Sequence, residues 1–184
     1  MNLEKYQQYS RIARGLEKAD LVLKDARIVN VFTEEIIRGD IAIQDGIIAG
    51  IGSFHGKEER DLAGRYVCPG FIDSHLHLES TLVTPAELVT AASRHGTTTF
   101  IVDPHESANV SGLAGIDYIL DQTEDVKANV YVMMPSCVPA TAIDDNGCTL
   151  TAEDMAPYLH NSRILGLGEV MDSISVVQGE KSMH

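Results

Sequence analysis

The chain has 184 residues, 44% of them hydrophobic and 22% charged, and its 14 Lys and Arg against 27 Asp and Glu give a formal net charge of −13. That is ordinary globular composition, which excludes a disordered chain, and the absence of any basic run argues against a nucleic-acid partner. No stretch approaches ~18 uninterrupted apolar residues, and the opening MNLEKYQQYSRIARGLEKAD lacks the apolar core of a signal peptide, so neither membrane nor export is expected.

In chain order, residues 3–19 read as a short polar helix, weakly amphipathic through Leu3, Tyr6, Tyr9, Ile12, Ala13 and Leu16, and residues 1–20 as a helical leader. From Leu21 to Phe54 the pattern changes to short β-branched runs, LVLKDARIVNVF and IIRGDIAIQDGIIAGIG. The Asp45-Gly46 pair is a hairpin signal, so a small antiparallel unit is expected. Residues 21–68 are too few to bury a sandwich core alone, and a second sheet must come from elsewhere. Residues 69–184 then alternate strand and helix. VCPGFIDSHLHL opens as a strand, and a helix from Pro85 to His95 follows, capped by Thr84 with Glu87 three residues on and stopped by Gly96. TTTFIVD, NVYVMMPS and RILGLGEV are the next strands, with helices over Leu113–Leu120 and, behind a Thr151 cap, Ala152–Leu159. The tail VVQGEKSMH supplies no strand. This alternation is βαβ spacing and predicts an α/β fold with a parallel sheet or barrel, a small open sheet being the alternative. Four such units are visible where a closed barrel needs eight, so the segment is expected to be half of a barrel and the chain a piece of a longer protein.

Each strand ends in residues capable of chemistry: HLHLE, DPHE, PSC and GEV. Carboxyl ends of strands are where α/β folds place their sites. Asp73, His75 and His77 alternate on one strand, so their side chains are expected to leave one face. Two imidazoles so placed suit a divalent transition metal, with Asp73 as an orienting or bridging carboxylate; an isolated His-x-His also fits two hydrogen-bonded structural histidines. Glu169, flanked by Gly166 and Gly168, is placed to bridge two metals or to stand solvated at a strand end. His105 and Glu106 are placed to ligate, orient or shuttle a proton, or to serve as structural hydrogen-bonding groups. Glu79 and Ser80 are candidates for supporting the histidine pair from behind, and Ser136 and Cys137 for lining the pocket. His55, His95, His160 and His184 read as surface histidines, and Cys68, Cys137 and Cys148, without metal-site spacing, as reduced thiols of a cytoplasmic protein.

At these residues the sequence resembles the amidohydrolase superfamily and, within it, the bacterial adenine deaminase branch. PGFIDSHLH at 69–77 carries the broad likeness; HLHLESTLVTPAEL at 75–88, GTTTFIVDPHESANV at 96–110, MMPSCVPAT at 133–141 and GLGEVMD at 166–172 carry the narrower one. The resemblance implies a (β/α)8 barrel, of which this chain is the first half, preceded by part of a small β-sandwich. It implies a binuclear centre of Mn2+, with Fe2+ or Zn2+ as alternatives, in which His75 and His77 bind one metal and Glu169 bridges both. Asp73, His105, Glu106 and Glu79 would be catalytic or supporting residues, and the remaining metal ligands would come from later strands. The implied reaction is hydrolytic deamination of adenine to hypoxanthine and ammonia by the complete protein, a homo-oligomer acting on a small purine base. Cleavage of an amide, as in an amino-sugar deacetylase, and a non-catalytic truncated product are the competing readings.

Overall fold

The computed structural model describes residues 2–180, and the chain divides between Pro69 and Gly70 into two compact units. The histidine at 184 and the end of the VVQGEKSMH tail therefore lie outside the described residues.

The first unit opens with α1 (Leu3–Ala13), whose N-cap Asn2 accepts from the Lys5 amide at 2.9 Å. The helix is shorter than the polar periodicity suggested. Gly15 takes φ +71°, its amide reaches Ile12 O at 2.8 Å, and the Leu16 amide reaches Arg11 O at 2.9 Å. Those two bonds close a left-handed cap that consumes the last carbonyls, so the helix cannot continue to residue 19. Its one buried residue, Ile12, packs with Ala19, Val22, Ala42 and Phe54. Strands β1 (Ala19–Asn30), β2 (Glu35–Gln44) and β3 (Ile47–Gly52) pair antiparallel, β2 and β3 through the Asp45-Gly46 turn, in which both residues have positive φ. The turns predict a purely antiparallel unit, and the structure corrects that expectation. β4 (Gly56–Asp61) and the two-residue β5 (Tyr66–Val67) both run parallel to β1, which makes a mixed five-stranded sheet.

The second unit is the parallel part. β6 (Phe71–Leu76), β7 (Thr97–Val102), β8 (Asn129–Met134) and β9 (Ile164–Leu167) form a four-stranded parallel sheet in chain order. Parallel neighbours need crossovers, and helices supply them. α2 (Pro85–Ser93) links β6 to β7; α3 (His105–Ser111) and α4 (Leu113–Gln122) link β7 to β8. A single turn, α5 (Ala152–Met155), continues as 3₁₀ helix over Ala156–His160 before β9, and α6 (Ser173–Gln178) follows it. Alternate residues Phe100, Val102, Val130, Val132 and Met134 turn into a core shared with Val89, Ile116 and Ile119. Thr151 makes a full capping box with Asp154, but Thr84 stands at the N-cap of α2 without a side-chain bond, the Pro85 ring being the start signal there. α3 is a helix the sequence reading missed: its N-cap is Pro104 and no side chain caps it.

Candidate metal centre

All the polar strand ends of the parallel sheet lie at its carboxyl edge. His75 lies in β6 and His77 one residue beyond it, where the pairing with β7 is irregular between Asp73 and Leu76. Their rings meet edge to face with centroids 5.0 Å apart, and the two Nε2 atoms are 3.1 Å apart. Glu169, two residues past β9, brings Oε1 to 3.3 Å from His77 Nε2 and Oε2 to 3.9 Å from His75 Nε2. Among the described residues these three form a group whose ligand atoms all lie within 4.8 Å of one another.

The surroundings bias this cluster toward a cation. His77 Nδ1 lies 2.8 Å from Glu106 Oε2, and in the tautomer that donates to that carboxylate Nε2 keeps its lone pair, directed at His75 and Glu169. Two facing imidazole nitrogens and a carboxylate are a repulsive set of acceptors unless a proton or a metal ion lies between them. Partial burial disfavours a protonated His77, yet the bond and charge of Glu106, with Asp103 and Glu169 behind it, raise its pKa. Two imidazole nitrogens and a carboxylate oxygen are also the donor set borderline divalent metals take, so the residues fit such an ion.

Glu79 and Glu106 form a second layer. Glu79 Oε1 accepts from the Ser107 amide at 2.9 Å while Oε2 is buried without a partner among the described residues, and burial pushes its carboxyl up. Burial also opposes ionised Glu106, but its own amide and His77 hold its carboxyl below the usual range. Ser80 Oγ donates to Glu106 Oε1 at 3.3 Å. Asp73 lies outside the three-residue group; its Oδ1 accepts from the His75 amide at 3.4 Å. His105 is 6% exposed, has no hydrogen-bond partner among the described residues on either ring nitrogen, and lines a cleft of about 470 Å³ with His77, Glu106, Asn109 and Glu169. Ser136 donates to Glu169 O at 2.6 Å, and Cys137 is buried beside it. His55, His95 and His160 are exposed.

Asp103 is the residue the sequence reading passed over. It is fully buried, and Oδ2 accepts from the Glu169 amide at 3.1 Å. Burial pushes its carboxyl up, against the Glu169 amide and the nearby His105 and His77, which favour its charge. An Asp-Pro pair after a strand reads as a turn, and only the buried position marks it otherwise.

A parallel α/β sheet carrying a His/His/Glu cluster at the carboxyl ends of its strands defines the class. The chain belongs to the amidohydrolase family, which residues 66–174 match and whose members are generally metal-dependent. It is 57% identical over 183 residues to the adenine deaminase of Desulfitobacterium hafniense (strain Y51), covering 100% of this chain and 32% of that protein. It is 49% identical over 166 residues to the adenine deaminase of Geobacillus kaustophilus (strain HTA426), covering 90% and 29%. The chain thus spans about a third of the length of the curated relatives it matches.

Proposed function

We propose that the complete protein deaminates adenine hydrolytically, giving hypoxanthine and ammonia, at a binuclear centre of Mn2+, with Fe2+ or Zn2+ as alternatives. The observation that carries this is the convergence of His75, His77 and Glu169 within 4.8 Å at the carboxyl edge of a parallel sheet. In this reading the four strands are the first half of a (β/α)8 barrel that begins at residue 69, and residues 21–68 are part of a small β-sandwich preceded by a helical leader at 1–20. The barrel reading is supported by the four parallel strands in chain order and by relatives about three times as long. Cys68, Cys137 and Cys148 are free thiols, which suits a cytoplasmic setting.

Bound divalent cations would supply Lewis acidity and generate a nucleophile from water near neutral pH. The chain's own part is positional. His75 and His77 would hold one ion and Glu169 would span two; Glu106 would fix the His77 tautomer, and Glu79 would support Glu106 from behind. His105 lines the cleft with both ring nitrogens buried and unpartnered among the described residues, so it would serve as a wall of the base pocket. Asp73 would steady the approach to His75 through its amide. Among the described residues the cleft also includes Asp144 and Asp145 and no Arg or Lys, which disfavours a phosphorylated sugar.

The test uses the full-length protein. Ammonia release from adenine should depend on added Mn2+ and exceed release of acetate from an acylated amino sugar by orders of magnitude. His75→Ala and His77→Ala should each lower metal content and cut turnover at least a hundredfold. Unchanged metal stoichiometry in both variants would remove the metal assignment, and preference for the amino sugar would remove the substrate.

A further inference from the structure

Asp103 reaches both halves of the cluster at once. Its backbone amide donates to Leu76 O at 2.9 Å, the carbonyl between His75 and His77. Its side chain accepts from the amide of Glu169 at 3.1 Å, although β7 and β9 are not neighbours and β8 runs between them. The path is kept narrow by Gly168: a Cβ there would overlap Asp103 Oδ2, so only glycine lets the carboxylate reach the next amide. Gly168 is tied in turn to β8, its amide donating to Met134 O at 2.6 Å. Asp103 is fully buried, and its second oxygen, Oδ1, has no hydrogen-bond partner among the described residues. A buried carboxylate is costly to keep, and one spent on a single backbone amide needs a return elsewhere in the fold.

We propose that Asp103 is a positioning residue for the metal centre, clamping the Glu169 backbone to the strand end that carries His75 and His77. It touches neither reacting atoms nor, in this role, the metal. It sets the distance between the carboxylate ligand and the two imidazoles, so its loss loosens one side of a three-ligand group. Metal sites respond steeply to such supports, commonly ~10–100-fold in affinity. The inference rests on the metal-site reading above.

The experiment measures metal affinity of the full-length apoprotein by competition with a chromogenic chelator, using Mn2+ and Zn2+ and no substrate. Asp103→Ala removes the acceptor and is expected to weaken the tighter site at least tenfold while the far-UV spectrum is kept. Asp103→Asn retains an acceptor oxygen and is expected to stay within about threefold of wild type. Gly168→Ala keeps the Asp103 carboxylate but displaces it from the Glu169 amide, and should resemble Asp103→Ala. Wild-type affinity in Asp103→Ala, or an equal loss in Asp103→Asn, would overturn the clamp. So would unfolding of both Asp103→Ala and Gly168→Ala, which would make the contact a support of the sheet alone. His77→Ala separates the two proposals: if it leaves metal affinity untouched, the metal-site reading fails, whereas loss in His77→Ala without loss in Asp103→Ala fails only the clamp.

Discussion

His77 is oriented by the Glu106 carboxylate 2.8 Å from its Nδ1. Removing that carboxylate frees the ring to rotate and to take the other tautomer, so Glu106→Ala should weaken metal binding by ~10–100-fold. Because Glu106 is an exposed residue at the start of α3, the fold should tolerate the change, and the melting temperature should move by no more than about 2 °C. Metal affinity at the wild-type level in Glu106→Ala would show that the ring is held by its surroundings and not by this bond. Glu169→Gln probes the other side of the cluster. The neutral amide offers less charge to a bound pair, so the variant should keep its fold but lose one metal equivalent; full stoichiometry with wild-type turnover would leave Glu169 an ordinary strand-end residue. At this scale His75, His77, Glu106 and Glu169 were legible because alternation on a strand and placement at strand ends mark chemically capable side chains. Asp103 was not, because its importance lies in burial and in a bond across 66 residues of chain to an amide, and no local pattern encodes either.

Among the elements, the β1–β2 pair depends on a buried charge. Asp40 accepts from Lys24 Nζ in a short ion pair and from the amides of Phe54 and Asp25, both at 3.1 Å. Burial works against the ionised form, but Lys24 and the two amides outweigh it and hold the Asp40 carboxyl below its ordinary range. A folded pKa depressed below the unfolded value contributes stability above the unfolded pKa, and that contribution is lost as pH falls through the folded one. Asp40→Asn should therefore destabilise the first unit by about 1–3 kcal/mol at neutral pH, with the gap from wild type closing below about pH 4. Hydrogen exchange at the β1 and β2 amides as a function of pH reads this directly; a pH-independent gap would assign the loss to packing. The hairpin beside it was legible because Asp45-Gly46 supplies two residues that tolerate positive φ. β4 was invisible for the opposite reason. Its sequence is GKEERD, five of its six residues are exposed, and an edge strand covered with charges has no apolar alternation to find. α3 escaped because seven residues without a capping side chain carry too little periodicity.

Over the whole molecule, the parallel sheet is finished on one side only. Phe100, Val102, Val130, Val132 and Met134 are buried in the core shared with the helices, whereas Leu165 and Leu167, alternating with the buried Ile164 on β9, remain exposed. Parallel sheets are normally covered on both faces, and among the described residues no further strand pairs the outer edges of β6 and β9. Folding costs ~1–2 kcal/mol of backbone entropy for each ordered residue, which burial must offset, and an apolar face left to water gives up part of that offset. The cluster is incomplete as well: among the described residues three side chains converge, while a pair of metal ions needs more ligands than three. These 184 residues by themselves should therefore not deaminate adenine. The check purifies this chain, confirms its mass, supplies Mn2+ or Fe2+, and follows ammonia release from adenine against a metal-only blank. The expected result is no turnover above the blank, with self-association visible by light scattering. Multiple-turnover, metal-dependent ammonia production by a homogeneous sample of that mass would refute the prediction. The missing ligands would then have to come from other side chains near the cluster, Asp103 and His105 first among them, or from a second copy of the chain closing the open face.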